Sequence, residues 1–186
     1  MPSTLMWFIA AVIVFASASV ASAQEWAAAG VTGSIDEADT SIYRFNDTGS
    51  VSIKGSVARA TLQVRYRVDS MPAIFNPPGV DCTELRANLR DTGAGARVII
   101  RVFRLGIGGE ASTGELTKLG EIDSDRQPNP PPSTRYLSYR ACLSEGPGAT
   151  DDYTFFVEAQ LIKTTATANP GLLSLQICSS QDACDP

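Results

Sequence analysis

Arg59-Ala60-Thr61-Leu62-Gln63-Val64-Arg65-Tyr66-Arg67-Val68 alternates strictly, with Ala60, Leu62, Val64, Tyr66 and Val68 in one phase and Arg59, Thr61, Gln63, Arg65 and Arg67 in the other. Side chains of an extended strand point alternately to its two faces, so this period of two describes a strand with one buried and one solvated face. The same rule reads Val51, Ile53 and Val57 as an inner row against Ser50, Ser52, Lys54 and Ser56. It sets Leu85, Ala87 and Leu89 against Glu84, Arg86, Asn88 and Arg90. Further strands are expected over Arg97 to Leu105, Arg135 to Leu143, Tyr153 to Lys163 and Leu172 to Cys178, with weaker ones over Ser41 to Phe45 and Leu116 to Ile122. In the Tyr153 strand the inner row is Tyr153, Phe155, Val157, Ala159 and Leu161.

Glycine supplies positive φ and proline fixes φ, and both recur between these runs, as in Asn46-Asp47-Thr48-Gly49, Asn76-Pro77-Pro78-Gly79, Asp91-Thr92-Gly93, Gly146-Pro147-Gly148 and Asn169-Pro170-Gly171. No segment after residue 24 carries a 3.6-residue apolar stripe. About nine one-faced strands without helical crossovers predict an all-β chain, a single antiparallel β-sandwich of jelly-roll-like or Ig-like topology. The length leans toward the jelly roll.

The first 23 residues read as a cleaved signal peptide: an apolar run over Leu5 to Ala16, then small residues ending in Ala21-Ser22-Ala23, with cleavage before Gln24. The run is shorter than the roughly 18 residues of a spanning helix, and the sequence holds no second one, so the remaining chain, 24 to 186, is expected to be one domain without a membrane span. The protein is therefore expected to be secreted, or periplasmic in a Gram-negative host. Four cysteines lie beyond the signal, Cys82, Cys142, Cys178 and Cys184. In an oxidising compartment an even number argues for two disulfides; three pairings are possible, and Cys82 with Cys142 and Cys178 with Cys184 is the one favoured. Asn46-Asp47-Thr48 is a glycosylation sequon in a turn.

The chain contains no histidine. This removes Ser-His-Asp and Cys-His nucleophilic mechanisms, and with no C-x-x-C present it also argues against zinc. Gly106-Ile107-Gly108-Gly109 has the composition of a phosphate loop, but Ser112 to Glu121 reads as a turn and a strand rather than the helix such a loop must open. Leu89-Arg90-Asp91-Thr92-Gly93-Ala94 resembles the active-site loop of aspartic proteases, whose two carboxylates share a proton. The likeness covers six residues, Arg90 stands where an apolar residue is usual, and Asp-Thr-Gly is also a favoured tight turn. No catalytic, metal-binding or cofactor-binding residue is assigned.

Charge is uneven along the chain. Nine bases face four acids between Lys54 and Arg104, within a chain of net charge −5. Cross-strand pairing accounts for most of this. A basic face made by Arg59, Arg65, Arg67, Arg86 and Arg90 is the candidate binding surface, suited to an extracellular protein or a polysaccharide; the acidic chain argues against nucleic acid. Asp36-Glu37-Ala38-Asp39, Asp123-Ser124-Asp125 and Asp151-Asp152 supply the oxygen ligands that Ca²⁺ accepts, without the spacing of a calcium loop. Tyr66, Tyr139 and Tyr153 belong to inner rows, Tyr136 to the wet face, and Trp26 stands close to the cleavage point. The expected function is a non-catalytic binding or structural module. Its alternatives are a calcium-assisted carbohydrate-binding or adhesive domain and a hydrolase with paired carboxylates.

Overall fold

The computed structural model describes residues 25–69, 83–107, 114–126, 132–144 and 153–178. The expected signal peptide, Cys82, Cys184, the expected turns at Asn76 to Gly79 and Gly146 to Gly148, and Asp151-Asp152 lie outside the described residues. Within those residues the chain runs through eleven strands: β1 (Glu25–Ala29), β2 (Ser34–Ile35), β3 (Tyr43–Phe45), β4 (Val51–Ile53), β5 (Ala60–Val68), β6 (Thr83–Arg90), β7 (Ala96–Gly106), β8 (Leu116–Asp123), β9 (Leu137–Leu143), β10 (Tyr153–Lys163) and β11 (Gly171–Cys178). The only helical segments among the described residues are two short 3₁₀ turns, Gly30–Thr32 and Glu37–Asp39. No helix among them is long and apolar enough to cross a membrane.

The strands form two antiparallel sheets. One runs β3-β4-β11-β6-β9 with β1 also on β11; the other runs β2-β5-β10-β7-β8. Four neighbouring pairs, β4 with β11, β5 with β10, β6 with β9 and β7 with β8, nest like the rungs of one long hairpin. Rolling that hairpin so that alternate rungs fall in alternate sheets is the jelly-roll arrangement, which separates this fold from the Ig-like one.

The apolar phases read from sequence meet between the sheets. Leu62, Val64, Ile100, Val102, Val157, Ala159 and Leu161 from one side pack with Val51, Ile53, Leu85, Leu89, Leu172, Leu175 and Ile177 from the other. Tyr66 crosses the layers: its hydroxyl donates to the Gly30 carbonyl at 2.9 Å, and burial pushes its pKa up. Trp26, whose position near the terminus gave no expectation of order, lies in β1 opposite Ile177 and is buried in this core.

Three expectations are corrected. β4 ends at Ile53 because Lys54-Gly55 turns the chain, with Val57 N donating to the Lys54 carbonyl at 3.2 Å. Ser50 and Ser52 are buried rather than wet, since Asn46 Nδ2 donates to Ser50 Oγ at 2.9 Å and to Ser52 Oγ at 3.3 Å. Glu84 and Arg86, also expected on a wet face, are buried as an ion pair of 3.1 Å. Cys142 and Cys178 stand opposite Glu84 on either side of β6, and neither is a free thiol.

Candidate functional site

The five arginines expected to form one basic face divide between two. Arg65 and Arg67 point away from the core on β5, in the five-stranded sheet. Arg86 and Arg90 do so on β6, in the six-stranded sheet, and Arg59 is exposed in the bend before β5. Alternation says which residues leave the core but not which sheet their strand joins, and β5 and β6 join different ones. Arg86 and Arg90 are also occupied. Besides the Arg86 pair, Arg90 Nε donates to the Asn169 carbonyl at 3.0 Å and Nη2 to Asn169 Oδ1 at 2.8 Å. Its guanidinium lies 4.9 Å above the Tyr136 ring. Tyr136 is thereby half-buried beneath an arginine rather than offered as a ligand shelf.

The outer face of the five-stranded sheet is organised differently. Register places Arg65, Glu158, Arg101 and Glu121 directly opposite one another across β5, β10, β7 and β8. They form a continuous ladder: Arg65 Nε to Glu158 Oε2 at 3.3 Å, Arg101 Nη1 to Glu158 Oε1 at 3.9 Å and Arg101 Nε to Glu121 Oε2 at 2.7 Å. Lys118 and Arg126 also reach Glu121, at 3.4 and 3.6 Å. The hydrogen bond from Arg101 holds the Glu121 carboxyl below its ordinary pKa against the opposing effect of desolvation. One step further along the strands the row reads Arg67, Phe156, Phe103, Lys118. The two rings stack across strands, centroids 5.2 Å apart and planes 26° apart, a favoured offset geometry. Leu105 and Leu116 pair in the row beyond, and Leu116 is exposed.

A β-bulge makes this row. The β7–β8 register shifts between Val102 and Phe103, so Leu119 has no opposite residue of its own. It turns into the core while Lys118 stays beside Phe103 on the outside. Gly120 permits the close approach of β9: a Cβ there would stand 2.4 Å from Leu143 Cδ2.

Away from the rim acids Asp69 and Asp125, which are 71 and 56 % exposed, the protruding side chains of this face are cationic. The side chains of Arg67, Arg65 and Lys118 are 84, 65 and 50 % exposed, whereas those of Glu121, Glu158 and Asp123 are 18, 12 and 4 % exposed. The carboxylates lie low in the sheet and the cationic tips stand above them.

The paired-carboxylate and calcium candidates have other roles where they are described. Asp91 Oδ1 accepts from Gly93 N at 2.8 Å, with Gly93 at φ +88°, which is a turn after a strand rather than a protease loop. Asp36 Oδ1 accepts from Ala38 N at 2.9 Å and caps the 3₁₀ turn. Asp123 is bound by Arg97 Nε at 2.9 Å and lies 3.2 Å from Arg126 Nε, and the Arg97 hydrogen bond lowers its pKa. Asp125 moves the other way, raised by burial and then by Asp91. A general acid at Glu121 or Asp123 would need a raised pKa. Among the described residues no group of three histidine, cysteine or acidic side chains is placed to hold a metal ion.

Sequence reasoning missed Phe103 and Phe156. The signal was present: in Phe155-Phe156 two adjacent strand residues cannot both face the core, and Phe103 falls in the phase of Arg97 and Arg101. A large apolar residue in a wet phase marks a surface kept apolar.

No family model matches the chain, and no curated protein matches it. Among solved structures it is similar to a family 29 carbohydrate-binding module complexed with cellulohexaose, at 13% identity and TM-score 0.34, covering 89% of this chain and 88% of that one. It is also similar to a family 11 carbohydrate-binding module from Clostridium thermocellum, at 12% and 0.36, covering 88% and 92%. A family two carbohydrate esterase from Cellvibrio japonicus gives 8% and 0.38; the match covers 84% of this chain and 34% of the esterase. At TM-scores of this size the fold rests on the strand order of the chain itself.

Proposed function

We propose that this protein is a non-catalytic binding module that takes an extended polysaccharide on the outer face of its five-stranded sheet. The stacked pair of Phe103 and Phe156 on the solvent side carries this reading. Four strands at about 4.8 Å spacing make a platform roughly 14 Å wide, formed from regular sheet and therefore rigid before a ligand arrives. The two half-buried rings offer an apolar strip to the C–H groups of a sugar ring, and the guanidinium and amide groups of Arg65, Gln63 and Gln160 can meet its hydroxyls. The ion ladder already fixes part of this surface, which lowers the ordering cost of binding. The protein acts outside the cytoplasm on this reading, as the signal-like residues 1 to 23 imply.

Affinity electrophoresis and calorimetry against a panel of linear polysaccharides test it. Wild type binds at least one polymer, and Phe156→Ala and Phe103→Ala each weaken that binding by about tenfold or more with unchanged circular dichroism. Chelator leaves the affinity unchanged, because the described acids on this face are held by cations of the protein. Binding to no polysaccharide, or variants that bind like wild type, would overturn the proposal.

A further inference from the structure

We infer that the polysaccharide is anionic, a linear chain bearing carboxylates such as a polyuronate, with its acid groups met by Arg67 and Lys118 at the two ends of the aromatic row. This rests on the reading of the sheet face as a saccharide platform and adds the class of sugar. A ligand on that face first meets what protrudes. The exposed cations there include Arg65, Arg67, Lys118 and, beyond β8, Arg126, which is 73 % exposed at its side chain. The carboxylates beneath are each already engaged: Glu158 with Arg65 and Arg101, Glu121 with Arg101, Lys118 and Arg126, and Asp123 with Arg97 and Arg126.

Cationic excess is thus concentrated at the solvent side of a molecule that is acidic as a whole, with a net charge of −5. Among the described residues Arg67 pairs with Asp69 alone, and both are mostly exposed, so that pair is weak and readily exchanged for a ligand carboxylate. The row places a cation, two stacked rings and a second cation in line across four strands. Such an alternation matches a chain whose sugar rings present apolar faces and whose substituents carry charge at each residue. An acidic peptide would answer the cations and leave the apolar rings between them without a counterpart of fixed shape.

The test compares polygalacturonate with a neutral 1,4-linked glucan or mannan of similar length, on wild type, Phe156→Ala and the double variant Arg67→Glu/Lys118→Glu, each checked for fold by circular dichroism. Polygalacturonate is expected to bind more tightly than the neutral polymers and to lose about tenfold or more in affinity between roughly 0.05 and 0.3 M NaCl. The double variant loses the acidic polymer while keeping residual neutral binding; Phe156→Ala weakens both. If a neutral polymer binds as well as polygalacturonate, and salt and charge reversal leave it unmoved, the platform stands and the anionic assignment falls. Equal binding of poly-glutamate or single-stranded DNA would show selection for charge alone and also overturn it. Absence of binding to any saccharide removes the platform and this inference together.

Discussion

Asp123 and Glu121 show how the chain uses ionised groups close to its core. Both sit low in the sheet, and both are held below their ordinary carboxyl pKa first by a hydrogen bond from an arginine, Arg97 and Arg101 respectively. A carboxyl depressed on folding contributes stability that is complete above its unfolded value, here 3.8 for Asp123 and 4.5 for Glu121. That contribution is lost as pH falls through the lower folded value. Asp125 has the opposite sign, since burial and the neighbouring Asp91 raise it, so it weakens the native state where it is ionised. Asp125 is the most exposed of the three and the most screened by solvent, and the melting temperature is expected to hold steady down to about pH 4.5 and to fall below it. Arg97→Gln removes the forked donor from the nearly buried Asp123 and is expected to cost about 1–3 kcal/mol at neutral pH, with much of the acid-induced loss abolished. Denaturant titrations of both proteins across roughly pH 2.5–7 check this; parallel pH profiles would contradict it.

At the scale of elements, the long strands were legible because their burial is one-sided. β5 and β10 appear within a residue of the stretches read from alternation, and β7, β9 and β11 within two. β1 and β2 were not legible. Glu25 to Ala29 is mostly alanine and carries no alternation, and Ser34–Ile35 is too short to show any. The bulge at Leu119 was also hidden, since a one-residue shift leaves no local mark except that Leu119 and Ile122 fall out of phase. The cysteines belong to this scale as well. Cys142 lies near the end of β9 and Cys178 closes β11, both beside the start of β6. Peptide mapping of the protein without reduction is expected to recover Cys82 linked to Cys142 and Cys178 linked to Cys184. A Cys82–Cys178 peptide would contradict that pairing.

For the whole molecule, the class of fold was readable from residue pattern, whereas the partition of strands between sheets was not. Period two is a local property; the nesting of β4 to β11 as one rolled hairpin is set by how long connections cross the sandwich. This is why Arg65 and Arg67 were grouped with Arg86 and Arg90, and why the structure places the two pairs on opposite outer faces. The two faces then differ in kind. On the six-stranded sheet, Arg86 and Arg90 are engaged by Glu84, Asn169 and Tyr136. On the five-stranded sheet the side chains of Arg65, Arg67 and Lys118 are half or more exposed around a stacked aromatic pair, so the two outer faces present different surfaces.

The claim that the five-stranded face receives the ligand is tested most directly by titrating ¹⁵N-labelled protein with a linear oligogalacturonide and following backbone amide shifts. The account predicts that the perturbed residues cluster at Arg67, Phe103, Lys118 and Phe156 and fade toward Arg86, Asn88 and Arg90. Perturbations centred on the six-stranded face, or confined to loops away from both sheets, would contradict it.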